Sequence, residues 1–155
     1  MQAISRSSEY AIRAMTFLAQ KHGQGFQLSR DVAETLGIPG PFLGKILQPL
    51  VLRGLLHSQR GRSGGFRMIH RPTEVTLFQI VDAQEHLTAT RKCLLGQAEC
   101  SDERACPMHE YWDNCSESFL ALLAGTTLQN VVDFCREKPA SGYPGPTPED
   151  TSILP

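Results

Sequence analysis

Residues 29–69 read SRDVAETLGIPGPFLGKILQPLVLRGLLHSQRGRSGGFRMI, and this stretch decides the fold. The segment Ser29–Leu36 and the segment from Pro41 to Leu50 each repeat apolar residues at the three- and four-residue spacing of a helix. Gly37, between them, suits a helix C-terminal cap. Two helices joined by a tight, glycine-containing turn are typical of a helix-turn-helix, although small helical bundles share this pattern.

A glycine-rich basic hairpin follows the second helix. Leu55–Gln59 and Phe66–Ile69 are two short strand-like runs, and the segment RGRSGG at 60–65 joins them. Arginines at such a tip can follow a phosphate backbone or enter a narrow minor groove, where the negative potential is strongest. An ordinary solvated turn is the alternative. We therefore predict a mainly α fold with a small β-hairpin wing, which is a winged helix-turn-helix domain.

An N-terminal helix is predicted before this stretch, from Ser5 to about Lys21, with Ser7 as its cap. Ser29 is the expected N-cap of the helix that follows it. After Pro72, a short helix capped by Thr76 is predicted.

Two further helices are predicted near the C-terminus. A long apolar helix near residues 108–123 is the natural dimerisation helix, with burial against its own domain as the alternative. Thr126 and Gln129 resemble the capping box of a last helix. The chain then divides into a DNA-binding domain at 1–72, a loop with dimerisation helices at 73–138, and a disordered proline-rich tail at 139–155.

Composition and charge limit the possible classes of protein. The 155 residues are 41% hydrophobic and 20% charged, enough for one globular domain with a core. No apolar run approaches the roughly 18 residues of a membrane span, and the N-terminus has no apolar signal core, so we expect a cytoplasmic protein without membrane contact. Residues 1–72 carry a net charge of +7 and residues 73–155 a net charge of −8. A basic half beside an acidic half suggests that the first half binds a polyanion.

Three cysteines and one histidine lie close together in a polar stretch without apolar periodicity. Cys93, Cys100 and Cys106 are separated by six and five residues, and His109 follows three residues later. Thiolates and imidazole are ligands suited to zinc or an iron–sulfur cluster. The gaps are wider than the two to four residues typical of zinc knuckles, so a cluster is favoured over a single ion. A loop of reactive thiols without metal is the other alternative.

The sequence offers several candidates for the fourth ligand. His109 is the favoured candidate, and its competitors are Cys115, Glu85, Glu110 or a residue of a partner subunit. Cys115 and Cys135 lie on apolar helix faces, where cysteine usually behaves as a small core residue.

The sequence resembles the Rrf-type winged-helix bacterial transcription regulators, which include iron–sulfur regulators of the IscR, NsrR and RirA types. The stretches that carry the resemblance are SEYAIRA at 8–14, GI at 37–38, FLGKILQPL at 42–50, GL at 54–55, RGRSGG at 60–65 and the three-cysteine loop. Together they extend over about residues 1–136.

The resemblance implies a homodimeric DNA-binding regulator, expected to be a repressor, that senses iron, nitric oxide or redox status. It implies that Cys93, Cys100 and Cys106 ligate an iron–sulfur cluster, [2Fe–2S] or [4Fe–4S], with His109 at the position of the histidine ligand of IscR-like members. The alternatives are a zinc-stabilised winged-helix regulator and a metal-free thiol-based redox sensor.

The partner expected from this interpretation is double-stranded DNA with a pseudo-palindromic operator. Pro49 is expected to kink the recognition helix or limit it to about two turns. The helix from about Pro41 is expected in the major groove and the wing at the minor groove. The candidate DNA-binding residues are Arg6, Tyr10, Pro41, Lys45, Gln48, Arg60, Arg62, Ser63 and Gly64.

An enzymatic function is not expected. No nucleophile–base pair, paired carboxylates or phosphate loop can be assigned, and Gly61–Gly65 follows no P-loop spacing.

Overall fold

The structure is a computed structural model that describes residues 3–87 and 93–146. Six α-helices, a two-stranded antiparallel sheet and three short 3₁₀ turns at Pro72–Glu74, Asp102–Arg104 and Pro139–Ser141 make up the described part of the chain. The helices and strands, in chain order, are α1 (Arg6–Gln20), α2 (Ser29–Leu36), α3 (Gly40–Leu52), β1 (Leu56–Gln59), β2 (Gly65–Met68), α4 (Leu77–Glu85), α5 (His109–Gly125) and α6 (Leu128–Glu137). The prediction of a mainly α winged helix-turn-helix is confirmed.

Helix α1 lies at the centre of the core. All of its residues from Tyr10 to Ala19 are buried, including the polar Arg13 and Thr16. Helices α2, α3, α4 and α6 and strand β2 all pack against it. A helix that is buried on every side has to be surrounded by the other elements, so α1 organises the domain.

The helix-turn-helix forms as the sequence predicts, with two differences. Helix α2 begins at Ser29 itself, after Leu28, which offers no side-chain cap. Helix α3 continues through Pro49 to Leu52 and is 13 residues long, so the prediction of about two turns is wrong. A proline removes its own N–H bond and crowds the carbonyl of Lys45, one turn earlier. The buried apolar face of α3 (Leu43, Ile46, Leu47 and Leu50) outweighs this cost and packs the helix on the core past that point.

Helix caps are displaced by one or two residues from two of the predicted positions. Ser5, not Ser7, caps α1 by accepting from the backbone N–H of Ser8. Thr127 caps α6 in a capping box with Asn130, whereas Thr126 and Gln129 were predicted. A run of adjacent hydroxyl residues offers several equivalent caps, and packing selects among them. The Thr76 cap of α4 is confirmed.

The wing is a hairpin fastened to the rest of the domain. Leu56 pairs with Met68 and Gln59 with Gly65, and a further bridge joins Phe66 to Gln27 in the linker between α1 and α2. Gly65 has a φ of +137°, and a Cβ there would lie 1.9 Å from the Gln27 carbonyl oxygen. The close approach of two backbones therefore requires glycine at this position.

The second half of the chain packs less tightly. Helix α4 lies against α1, and α5 contacts α4, but Leu123 is the one buried residue among those of α5. Tyr111 and Leu122 of α5 are 67% and 64% exposed, so this helix carries apolar side chains that its own chain does not cover. No helix in the described ranges is long and apolar enough to cross a membrane.

The C-terminal segment differs from its predicted disorder over residues 139–146. Pro139–Ser141 form a 3₁₀ turn, Pro144 is buried, and the carbonyls of Pro144 and Gly145 accept hydrogen bonds from Arg13. A proline-rich composition shows low intrinsic helix or strand propensity, but it does not report contacts made with another element. The remainder of the predicted tail, 147–155, lies outside the described residues, as do positions 88–92 of the predicted loop.

Replacement of Gly65 by alanine tests the close approach of the wing to the linker. We expect Gly65→Ala to lower the free energy of unfolding by about 3 kcal/mol, because the new methyl group must displace backbone and the residue has a positive φ. Gly44→Ala is the matched control, since nothing lies within 4 Å of its added Cβ and helix α3 favours alanine. Urea denaturation followed by circular dichroism measures both, and equal stabilities would contradict the packing described.

Candidate nucleic-acid interface and metal centre

Helix α3 has one apolar face and one open face. Leu43, Ile46 and Leu47 are buried, whereas Pro41, Lys45 and Gln48 are exposed. Residues at i, i+4 and i+7 lie on the same side of a helix, so the three predicted contact residues of α3 share its open face. The amide of Gln48, which can donate and accept hydrogen bonds, and the cation of Lys45 suit contact with base edges or phosphates.

The tip of the wing carries the second group of predicted contact residues. Arg60, Arg62 and Ser63 are exposed, but Gly64 is buried, and a Cβ on it would lie 2.1 Å from the Gln59 carbonyl oxygen. Gly64 therefore allows the hairpin to close and does not itself present a contact group. Its role is in the turn that displays the arginines.

A further arginine extends the basic surface of the wing. Arg30, in the first turn of α2, lines a groove with Arg60 and Arg62 and is itself exposed. It contacts Asp31 at 3.6 Å in an exposed pair, which leaves it accessible to a phosphate. Sequence reasoning missed Arg30, although a cation in the first turn of the helix before the recognition helix was the available signal.

Tyr10 has a different place from the one predicted at the DNA backbone. It is buried, its ring meets Phe42 edge-on at 5.8 Å, and its hydroxyl accepts from Arg6 Nε at 3.1 Å. Tyr10 thus joins the start of α1 to the start of α3 and orients Arg6, which stays at the surface.

Helix α4 holds the recognition helix by two polar contacts. Gln84 Nε2 donates to the Ile46 carbonyl at 2.8 Å, and Arg53 lies 3.4 Å from the carboxylate of Asp82. Asp82 is buried and Arg53 is half exposed, so this ion pair lies at the edge of the contact between the two helices. The last turn of α4 is therefore in direct contact with α3.

The four predicted metal ligands come together as two pairs. Cys93 Sγ lies 3.9 Å from Cys106 Sγ, and Cys100 Sγ lies 3.3 Å from His109 Nδ1. Within the ranges 3–87 and 93–146, no three Cys, His, Asp or Glu side chains gather closely enough to hold one metal ion. The arrangement of donors is thus two pairs and not one tetrahedral set.

His109 has a second partner that sequence reasoning missed. Its Nε2 lies 3.0 Å from Asp102 Oδ1, in the short 3₁₀ turn between the second and third cysteines. A neutral imidazole that donates its Nε2 proton to a carboxylate keeps the Nδ1 lone pair for a ligand on its other side. Asp102 therefore favours the tautomer that carries its proton on Nε2. The unprotonated Nδ1 then faces Cys100.

Two of the competing ligands, Glu85 and Cys115, have other contacts. The Glu85 carboxylate accepts hydrogen bonds from the backbone N–H of Ser5 and the hydroxyl of Ser8 at the start of α1. Cys115 is half-buried on α5 beside Tyr111, whose pKa it raises by a hydrogen bond. Cys135 is buried on α6, as predicted for a core cysteine.

The thiols of Cys93 and Cys135 differ in ionisation. Hydrogen bonds from the backbone N–H groups of Gln97 and Leu95 lower the pKa of Cys93 by stabilising its thiolate. Burial raises the pKa of Cys135, and a hydrogen bond from its own backbone N–H offsets this rise only in part. The local backbone of the loop thus favours the thiolate of Cys93, which is the form of cysteine that can ligate a metal.

A sequence model of the Rrf2 family, described as iron-dependent transcriptional regulators, matches residues 4–134. The chain belongs to the Rrf2 family. It is 32% identical over 132 residues to protein aau3 of Rhizobium meliloti, with 83% of this chain and 84% of that protein covered. It is 27% identical over 129 residues to the HTH-type transcriptional regulator IscR of Aliivibrio salmonicida, with 83% and 76% covered.

The fold has a solved counterpart in the same family. The structure of CymR, the global cysteine regulator of B. subtilis, superposes with a TM-score of 0.71 and 25% identity over 86% of this chain and 98% of CymR. The predicted family and the prediction that the chain is not an enzyme are confirmed. This Rrf2 protein is a DNA-binding transcription regulator, and its residues 135–155 lie beyond the family match.

Alkylation rates test the difference in ionisation between the two buried thiols. Cys93 and Cys135 are 8% and 9% exposed, so access is matched and thiolate content decides their relative rates. Because the pKa of Cys93 is lowered and that of Cys135 raised, we expect Cys93 alkylation to reach half its maximal rate at the lower pH.

Iodoacetamide labelling of reduced, metal-free protein across a pH series, read by peptide mass spectrometry, measures both midpoints. Equal midpoints, or a lower one for Cys135, would contradict the backbone hydrogen bonds assigned to Cys93.

Proposed function

We propose that this Rrf2 regulator holds an iron–sulfur cluster on Cys93, Cys100, Cys106 and His109, and that the state of the cluster sets its affinity for DNA. The observation that carries the proposal is the pairing of the four donors. Two thiolates on one tetrahedral metal, each about 2.3 Å from it, lie about 3.8 Å apart. The 3.9 Å between Cys93 and Cys106 fits this spacing, and the 3.3 Å between Cys100 and His109 fits a shorter thiolate–imidazole pair.

The pairing favours a two-iron cluster over a single zinc ion. A [2Fe–2S] cluster needs two ligands on each of two irons, which corresponds to two donor pairs. A structural zinc ion needs all four donors around one centre, and the described residues contain no such group. The family description as iron-dependent regulators supports the same choice. CymR, named as a cysteine regulator, shows why family membership alone does not select the signal.

The residues of the chain connect this site to DNA in two steps. The loop that carries the three cysteines joins the end of α4 to the start of α5, so the geometry of the loop constrains both helices. Helix α4 in turn contacts α3 through Gln84 and Asp82. A bound cluster supplies sensitivity to iron supply, nitric oxide or oxidation. A coupling of about 1–3 kcal/mol between the conformation of the loop and the position of the DNA-binding domain would change DNA affinity about 5–150-fold.

The exposed apolar face of α5 supports a homodimer. Tyr111 and Leu122 would be covered by helix α5 of a second copy. The two DNA-binding domains of such a dimer could then bind one DNA duplex. Such a dimer reads a pseudo-palindromic operator with half-sites about 34–36 Å apart. A repressor of this kind acts on DNA in the cytoplasm.

On DNA, the open face of α3 would read the major groove, with Lys45 and Gln48 as the polar groups and Pro41 at the start of the helix. The exposed Arg60, Arg62 and Ser63 of the wing would lie at the minor groove, and Arg6 near the backbone.

Cysteine replacement tests the cluster. We expect Cys100→Ala protein, purified without oxygen, to lose the visible absorption, iron and sulfide that the wild type contains, because one iron loses a ligand. Cys115→Ala is the matched control and should retain all three, since Cys115 is a half-buried neighbour of Tyr111 outside the donor pairs. Removal of the cluster should change the DNA affinity of the Cys115→Ala control. The same treatment should leave the DNA affinity of Cys100→Ala unchanged, because that variant holds no cluster to remove.

Two results would overturn this proposal. A colourless wild type with one zinc ion per chain would support the zinc-stabilised alternative. A wild type without metal, whose DNA affinity responds to thiol oxidation, would support the thiol-based sensor.

Salt dependence tests the wing. Arg62→Ala should reduce the slope of log Kobs against log salt concentration by about 0.9, because one phosphate contact and its released counterion are lost. Arg136→Ala is the matched control: this arginine is exposed on α6 in a pair with Asp133, far in sequence from the wing. An unchanged slope for Arg62→Ala would remove the wing from the phosphate contacts.

A further inference from the structure

Residues 139–146, named here the C-terminal strap, lie outside the family match, which ends at residue 134. The strap follows α6 and returns to the DNA-binding half, where it contacts α1 and the turn between α2 and α3. Neither the family nor the proposed cluster accounts for this contact. The strap is therefore a feature of this chain beyond the matched family region.

The strap is fastened by Arg13, a buried cation of α1. Arg13 is 1% exposed, and its Nε donates to the Pro144 carbonyl at 3.1 Å. Its Nη2 donates to the carbonyls of Gly145 at 2.8 Å and Leu36 at 2.7 Å. A buried guanidinium is costly unless its N–H groups are satisfied, so the strap carbonyls are part of what allows Arg13 to lie in the core.

The same guanidinium reaches the helix-turn-helix by two routes. Leu36 is the last residue of α2, so the Arg13 bond holds the carbonyl just before the turn. Arg13 also lies 5.3 Å from the centre of the Tyr10 ring, which meets Phe42 near the start of α3. One side chain thus touches the strap, the end of α2 and the aromatic contact to the recognition helix.

Two other strap residues add independent anchors. Pro146 packs on the turn itself, because a Cβ built on Gly37 would lie 2.8 Å from Pro146 Cβ. Tyr143 lies along α1, where a hydrogen bond joins its hydroxyl to Thr16 and burial raises its pKa to about 12. The strap therefore follows α1 from Thr16 to the turn.

We propose that the C-terminal strap is part of the folded DNA-binding domain. Arg13 is the positioning residue through which the strap holds α2 and α3 in the arrangement that specific DNA recognition needs. Arg13 is too buried to reach a phosphate, so it acts on the geometry of α2 and α3 and not on the charge presented to DNA. Loss of the strap contact should weaken specific binding and leave the electrostatic, sequence-independent binding unchanged.

Full-length Arg13→Gln and Tyr143→Ala test the strap from its two sides. The probes are a DNA duplex selected from a random pool by the wild-type protein and a scrambled duplex of the same length. We expect each variant to bind the selected duplex about tenfold or more weakly, the cost of lost hydrogen bonds to a charged group or of a lost anchor. Affinity for the scrambled duplex and the salt slope should stay at wild-type values.

Two controls accompany these variants. Arg13→Lys keeps the charge but cannot span three carbonyls, so its affinity for the selected duplex should fall between those of wild type and Arg13→Gln. Ala140→Ser, on the exposed side of the strap, should behave as wild type.

If Arg13→Gln does not fold, amide hydrogen exchange in Tyr143→Ala still tests the proposal. In Tyr143→Ala, where Arg13 is intact, amides of residues 36–43 should exchange faster than in Ala140→Ser if the strap holds the turn. Unchanged exchange together with wild-type affinity for the selected duplex would overturn the proposal. An equal loss of affinity for both duplexes would also overturn it, because that result indicates a lost charge contact or lost folded protein.

Discussion

The burial of α1 on all sides is the constraint from which the rest of the structure follows. Residues 10–19 of this helix are all buried, so the neighbouring elements together have to supply surfaces that cover them. The helix-turn-helix covers one side, α4 and α6 cover others, and β2 of the wing reaches its end. Because Arg13 lies within this buried stretch, the cover must include hydrogen-bond acceptors as well as apolar groups, and backbone carbonyls of α2 and the C-terminal strap provide them.

Helix α4 is the structural connection between the two halves of the regulator. Its N-terminal part is paired to the start of α6 by the bridge between Thr76 and Thr127, and its last turn touches α3 through Gln84 and α1 through Glu85. The loop of the donor pairs begins shortly after that last turn. The coupling proposed above would therefore act at a point that already contacts two helices of the DNA-binding half.

The candidate site was predictable in composition but not in arrangement. The soft donors Cys93, Cys100, Cys106 and His109 stand out in the sequence because their side chains have few structural uses in a polar loop. Their division into two pairs depends on how the loop folds back on itself, and Asp102 becomes a partner of His109 only through that fold. Tyr10 and Gly64 show the converse, since their sequence neighbourhood indicates DNA contact while packing gives one a core position and the other a turn.

The sequence by itself determined the helices, the wing and the family, because apolar periodicity, glycine punctuation and short motifs are local properties that each segment carries with it. It also determined which side chains of α3 are exposed, since burial of the apolar face leaves only the opposite face of the helix open to solvent. Only the tertiary structure decided that α3 continues past Pro49 and that the proline-rich segment after α6 lies on α1. The first outcome depends on the burial of the apolar face of α3 against the core, and the second on satisfying a buried cation across more than a hundred residues of chain. No local pattern reports either kind of contact.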